Sequence, residues 1–200
     1  MMGKGVSGII VAGGKSSRFG SPKAFAEKDG IPFYQYTIAA MEPLVESMVL
    51  VSSSELITKF TSEDTSFKII TDNPDIAGQG PLAGIYSGME HLTSEWYLIS
   101  PIDTPFINTR TYEILLDHIG AGKEAIVPIV NGRLEPLISI FHCSIKEKMK
   151  EQLRCNMLAP RQLFQNSQVA YVEFDDDNPF RNINYQEDLE RYIKTKEGGS

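Results

Sequence analysis

The chain has 200 residues, 42% hydrophobic and 22% charged, with 16 Gly and 11 Pro near average usage, a composition that fits one ordinary globular core and excludes collagen-like and low-complexity classes. No apolar run approaches the ~20 residues of a transmembrane helix, and the net charge of −7 argues against a general affinity for nucleic acid or anionic membrane. The expectation is a single domain over 1–196 with a flexible tail at 197–200. With no secretory leader in the opening residues, it is also expected to be cytoplasmic.

In chain order, short apolar runs followed by turn-rich segments and then stretches at helical spacing recur over the first part of the sequence. They predict strands near 6–11, 47–52, 67–71 and 96–100. Helices are predicted at about 33–42, 54–60, 82–92 and 108–119, the last opening on Asn108 as N-cap. Such alternation implies crossover connections and a mainly parallel sheet. Residues 124–130 and 134–141 read as two strands joined around Asn131-Gly132, a hairpin signal, so the sheet is expected to be mixed. Helices at 144–153, 160–165 and 185–195 and a strand at 168–173 complete a three-layer α/β/α, Rossmann-like arrangement.

A sheet of this kind binds ligands beyond the carboxyl ends of its parallel strands. Ala12-Gly13-Gly14, Ser52-Ser53-Ser54, Asp72 and Ile102-Asp103-Thr104-Pro105 each follow one of the first four strands, so four loops would face one crevice. Residues 1–26 contain no acid and carry Lys4, Lys15, Arg18 and Lys23, a small positive site suited to a compact polyanion; a nucleic-acid binder needs a longer stripe. A chance cluster of solvated cations is the plain alternative.

Two familiar phosphate motifs almost occur. Gly3 to Gly8 spells GxGxxG but precedes the first strand, so it cannot meet a pyrophosphate at a helix N-terminus. Gly14-Lys15-Ser16 resembles the end of a Walker loop, yet Ile9 stands where the first Gly should be. The segment VAGGKSSRFGSPKAF, Val11 to Phe25, is nevertheless built like a phosphate cradle. Gly13 and Gly14 admit close backbone approach, Ser16 and Ser17 offer hydroxyls, Arg18 presents a planar fork, and Lys23 supplies a compact charge able to follow a departing pyrophosphate. Asp103 has the chemistry of a Mg²⁺ ligand and equally that of an N-cap or turn residue before Thr104-Pro105. Asp72, before Asn73-Pro74, has the same turn alternative.

Other features read as structural. Cys143 and Cys155 suit a reducing compartment and form neither a zinc site nor a disulfide framework. His91, His118 and His142 lack metal spacing, Asp175-Asp176-Asp177 is an acidic turn without EF-hand spacing, and no Gly-x-Ser-x-Gly supports hydrolase chemistry.

VAGGKSSRFGSPKAF resembles the N-terminal signature of the nucleoside-triphosphate transferases that activate sugars and cofactors, and the molybdenum cofactor guanylyltransferases in particular. TDNPDIAGQGPLAGI at 71–85, PIDTPF at 101–106 and FRNINYQEDL at 180–189 agree in order. Phe19 departs from the usual Met and Ile102 from a frequent Cys. The resemblance implies the nucleotide-diphospho-sugar transferase fold and transfer of GMP from GTP to the terminal phosphate of molybdopterin, with Mg²⁺ as cofactor. It further implies transient contacts with proteins that make the cofactor or accept it. It assigns catalysis to Arg18, Lys23 and Asp103 and the metal to Asp103. The nucleotide falls to Val11, Ala12, Gly13, Gly14, Lys23, Asp72 and Asp103, with guanine read by backbone groups of residues 11–13. Asn182 and Asn184 would meet the pterin or its phosphate. Arg133, Arg154 and Arg161 are further candidates for that phosphate, with an ordinary exposed arginine as the plain alternative. A cytidylyltransferase acting on molybdopterin or a sugar phosphate, and a non-catalytic nucleotide sensor, remain alternatives.

Overall fold

A computed structural model describes residues 5–12, 25–60 and 67–183. Its strands are β1 (Val6–Val11), β2 (Glu27–Lys28), β3 (Ile31–Pro32), β4 (Ser47–Ser52), β5 (Lys68–Thr71), β6 (Trp96–Pro101), β7 (Ala125–Val130), β8 (Arg133–Leu134), β9 (Ser139–His142) and β10 (Val169–Phe174). The helices are α1 (Phe33–Met41), α2 (Ser54–Ile57), α3 (Pro81–His91), α4 (Thr109–Leu116), α5 (Lys146–Arg154) and α6 (Pro160–Phe164). The main sheet runs β10-β7-β9-β6-β1-β4-β5, with β8 paired to β7. Neighbours are parallel except around β9, which is antiparallel to both β6 and β7, and at the β7–β8 hairpin. The mixed, mainly parallel α/β sheet follows the sequence reading.

β1 and β6 are buried along their whole length, as expected of central strands covered on both faces. One face packs Ile10, Leu50 and Leu98 against Ile38 of α1 and Tyr112 and Leu115 of α4. The opposite face packs Ile9, Val49 and Ile99 with Leu82, Ile85 and Met89 of α3, Met149 of α5 and Leu163 of α6. These are the three layers. Among the described residues no helix is long and apolar enough to cross a membrane.

Three local readings are corrected. The helix predicted at 54–60 is the single turn Ser54–Ile57. The expected hairpin turn is present, with Asn131 at φ 49° and Gly132 at φ 75°, as a two-residue loop of inverted twist requires. Its second arm, however, is interrupted: Arg133–Leu134 pairs with β7, Glu135 keeps one N–H bond to Pro128 O of that strand, Pro136 to Ile138 leave the ladder, and Ser139–His142 re-enters between β7 and β6. Pro136 within the gap has no N–H to donate to a ladder. A small hairpin, β2–β3, was not anticipated; Asp29 at φ 55° and Gly30 at φ 75° form its turn. The helix predicted at 185–195 lies outside the described residues.

Candidate active site

The strand order reverses at β1, which has β4 on one side and β6 on the other. A cleft therefore opens beyond its carboxyl end. Val11 closes β1, and the next residue, Ala12, still donates its N–H to the Val51 carbonyl of β4 at 2.8 Å. Both Val11 and Ala12 are buried, so their side chains serve the core at the carboxyl end of the strand. Gly13, Gly14, Arg18, Lys23 and Asn184 lie outside the described residues.

Helix α3 is seated unusually close to this strand end. A Cβ at Gly88 would stand 2.6 Å from Ile9 Cγ2, and one at Gly84 would stand 3.0 Å from Val11 Cγ1 and 3.6 Å from Asp72 Oδ1. Two glycines four residues apart on one face thus let the helix lie on β1. The start of α3 is fixed by Gly80 at φ 77°, a conformation that favours glycine, followed by Pro81 in the first turn. The GPLAG segment accordingly brings a helix N-terminus to the cleft, together with Asp72.

Asp72 follows β5. Its carboxylate accepts the backbone N–H of Gly78, but burial dominates and pushes its pKa above the usual carboxylate value. The loop between them is pinned to α3: Asn73 N–H donates to Ser87 Oγ at 2.8 Å, and that hydroxyl donates to Ala83 O at 2.8 Å. Asn73 caps the short helical turn after it, its Oδ1 accepting from Asp75 N–H at 3.1 Å. The turn role open to Asp72 in the sequence is thus shared with Asn73.

Asp103 stands two residues beyond β6, partly exposed between buried Ile102 and Thr104. The strand end beneath it is held from below. Thr37 Oγ1 of α1 donates to Pro101 O at 3.3 Å, and Tyr112 Oη of α4 donates to Ser100 Oγ at 2.6 Å. Complete burial raises the Tyr112 phenol far above its ordinary value, so it remains a neutral donor. The N-cap alternative for Asp103 does not apply, because Asn108 caps α4, its Oδ1 accepting from Thr111 N–H at 3.0 Å.

The C-terminal segment meets the same loop. Ile183 N–H donates to Asp103 O at 2.9 Å, and the buried Ile183 side chain packs with Ala26, Phe33 and Phe106. Asn182 is exposed beside this contact. Asp72, Asp103, Asn182 and the backbone of Val11 and Ala12 therefore share the carboxyl rim of one sheet. Arg133 is on that rim too, beyond β7, whereas Arg154 and Arg161 are on α5 and α6 under the sheet face.

Two residues of the strand-end loops named from the sequence, Ser52 and Thr104, carry a feature that the sequence does not signal. The hydroxyls Ser52 Oγ, at the end of β4, and Thr104 Oγ1 are buried without a hydrogen-bond partner among the described residues. Serine and threonine at a strand end are too common to signal this; only burial does. No group of three or more His, Cys, Asp or Glu side chains forms a metal cage among the described residues. Magnesium, however, is usually held by one or two carboxylates with substrate phosphates and water, and Asp72 and Asp103 on one sheet rim fit that mode.

Comparison with known proteins agrees with the geometry. Residues 8–169 match the family model described as MobA-like NTP transferase domain. A protein of Bacillus cytotoxicus named "Probable molybdenum cofactor guanylyltransferase" is 37% identical over 197 residues, covering 96% of this chain and 98% of its own. A Bacillus cereus protein of the same name is 36% identical over 186 residues, 91% and 92% of the two chains. Among solved structures, molybdopterin-guanine dinucleotide biosynthesis protein A of Archaeoglobus fulgidus superposes with a TM-score of 0.79 at 22% identity, over 96% of this chain and 99% of that one. The 2-C-methyl-D-erythritol 4-phosphate cytidylyltransferase of Thermus thermophilus gives 0.72 at 17% identity, over 96% and 98%. At those identities the structures speak to the fold alone.

Proposed function

Since this chain belongs to the MobA-like NTP transferase family of nucleotidyltransferases, we propose that it transfers GMP from GTP to the terminal phosphate of molybdopterin, releasing pyrophosphate and forming the guanine dinucleotide form of the cofactor. The observation that carries this reading is the match, at 36–37% identity over nearly the whole chain, to relatives named as guanylyltransferases. The cytidylyltransferase resemblance is at 17% identity.

In the reaction an oxygen of the acceptor's terminal phosphate attacks the α-phosphorus of GTP. A P–O bond forms there, and the bond to the β-phosphate oxygen breaks, its electron pair leaving with pyrophosphate. Such transfer asks mainly for in-line placement and neutralisation of spreading negative charge. In our reading the backbone of Val11, Ala12 and Gly13 receives the guanine edge, Gly14 lets the chain approach the phosphates, and Arg18 and Lys23 neutralise charge on the triphosphate and the departing pyrophosphate. Asp72 and Asp103 face the nucleotide from β5 and β6. Asp103 would hold Mg²⁺, which when bound supplies charge neutralisation at the phosphates. Asn182 and Asn184, two apart on the segment tied to Asp103, would face the acceptor. The setting we assign is one domain in the cytoplasm, with transient contacts to proteins that supply and receive the labile pterin.

Calorimetry with GTP, CTP, ATP and UTP in the presence of Mg²⁺ tests the reading first, followed by pyrophosphate release on adding molybdopterin. Preference for GTP and acceptor-dependent release are expected. Preference for CTP would reassign the enzyme to cytidylyl transfer, and binding of GTP with no release would make it a sensor.

A further inference from the structure

The carboxyl ends of β7 and β10 enclose a cavity of about 400 Å³, lined by Val130, Arg133, Glu135, Asp177, Phe180 and Arg181 among others. That volume is in the range of small-molecule sites. Its walls are tied by backbone, ring and ion-pair contacts. Glu135 N–H donates to Pro128 O at 3.0 Å and Glu135 O accepts from Ile138 N–H at 3.2 Å, so the interruption of the β8–β9 arm holds this residue from both sides. The buried Phe180 ring packs edge-on against Phe174 with centroids 4.9 Å apart. Asp177 is already engaged by Arg181 at 3.1 Å. Through Ile183, the same C-terminal segment is bonded to the Asp103 loop.

The chemistry of this cavity is selective. A half-buried carboxylate accepts two parallel N–H bonds best when a planar group offers them side by side. Burial outweighs the nearby Arg133 guanidinium and lifts the Glu135 carboxyl above its usual range, so a ligand that donates to it relieves a desolvated acceptor. A 2-amino-4-oxo pteridine carries the required pair, N3–H and the 2-amino group, on one edge. Guanine carries the same edge, but the cleft at β1 is three strands from β7, about 14 Å at ordinary strand spacing. The two rings would therefore occupy separate subsites.

Resting on the guanylyltransferase reading above, we infer that Glu135 is the specificity residue for the acceptor: its carboxylate reads the 2-amino-4-oxo edge of the pterin in the cavity between β7, β10 and Phe180, while Arg133 and Arg181 border the anionic part of that substrate. The interrupted strand arm is what places Glu135 in the wall of a pocket.

The test exchanges donor for acceptor. Titration of the full chain with the fluorescent probes 6-hydroxymethylpterin and 6-hydroxymethyllumazine, which replaces the 2-amino group by a carbonyl, reads each affinity directly at pH 7.5. The wild type should prefer the pterin. Glu135→Gln should bind pterin about 10–100-fold more weakly and gain affinity for the lumazine, whose 2-oxo group can accept from the new amide N–H. Glu135→Ala should lose the pterin without that gain. Equal pterin affinity in the wild type and Glu135→Gln, or no pterin binding by the wild type, would overturn the assignment. Failure of the reading beneath it shows separately, as absence of molybdopterin-dependent pyrophosphate release from GTP by the wild type.

Discussion

The backbone N–H of Ile183 donates to the backbone carbonyl of Asp103 at 2.9 Å, joining the C-terminal Asn-containing segment to the loop that carries the metal-binding carboxylate of our reading. Because the bond uses main-chain atoms and Ile183 is anchored by Phe33 and Phe106, changing the Asp103 side chain leaves the junction in place. Asp103→Ala should therefore cut pyrophosphate release by at least ~100-fold, the scale of losing a charge-stabilising group in a transfer site, with a thermal midpoint near that of the wild type. Normal turnover in this variant would remove Asp103 from the chemistry.

Lys23→Ala separates the triphosphate from the rest of the nucleotide. If Lys23 follows the β- and γ-phosphates, its loss weakens GTP binding about tenfold or more while GMP, which lacks them, is bound nearly as before. Calorimetry with both ligands decides it; equal losses would place Lys23 elsewhere.

The seating of α3 on β1 can be tested without any ligand. At Gly88 an added Cβ meets Ile9 Cγ2 at 2.6 Å, Cδ1 at 2.9 Å and Cγ1 at 3.0 Å. Ile9 is fully buried and stiff at χ1, so the helix has to lift. Gly88→Ala should cost about 1–3 kcal/mol in denaturant unfolding, more than the small gain that alanine brings to a helix interior. The cost should shrink in an Ile9→Ala background, because the two residues share one contact.

How much of this was legible beforehand depends on range. The parallel half was readable because β1, β4 and β6 are short apolar runs closed by Gly, Ser or Asp, and Asn131-Gly132 announced its own turn. Glu27 to Pro32 was missed although Asp29-Gly30 is a hairpin pair, since two-residue arms carry no period-two pattern. Leu134 to Phe141 alternates well enough to read as one strand; only pairing with β6 and β7 reveals the break at Pro136 to Ile138. Likewise Gly84 and Gly88 are visible as glycines, but their necessity is set by Val11 and Ile9 across the layer. Asp72 and Asp103 were legible as rim carboxylates because strand ends follow from apolar patterning, while the bond from Ile183 joins segments with no local signal between them.

Glu124 offers a test of pH-dependent stability away from the site. Its carboxylate accepts from Lys148 Nζ at 2.7 Å and from Gln168 N–H at 3.0 Å, fastening the start of β7 to α5 and to the residue before β10. The hydrogen bond from Lys148 is the largest cause holding its pKa below the ordinary value of 4.5. A depressed carboxyl stabilises the fold above its unfolded value, and the contribution is lost as pH falls through the folded value. Glu124→Gln should thus cost about 1 kcal/mol at pH 7, discounted for the exposed Lys148. The gap to the wild type should close on acidification below 4.5.

Asp72 should behave in the opposite sense. Burial raises its carboxyl above the ordinary 3.8 despite the N–H of Gly78, so the native state holds its proton more tightly than the unfolded chain does. The contribution to stability is fully present below the unfolded value and is lost as pH rises through the folded one. At neutral pH the ionised group is a desolvated anion that the Gly78 N–H compensates only in part, a net cost unless a cation or a further donor meets it. Asp72→Asn, which cannot ionise, should be at least as stable as the wild type at pH 7, and the wild type should lose ground to it as pH rises from 3.8. If Asp72 serves the nucleotide or its metal, the same variant should bind GTP with Mg²⁺ about tenfold or more weakly. Stability held or gained with nucleotide binding lost marks a residue kept for its ligand; loss of stability at pH 7 would make it the turn residue that Asn73 already is.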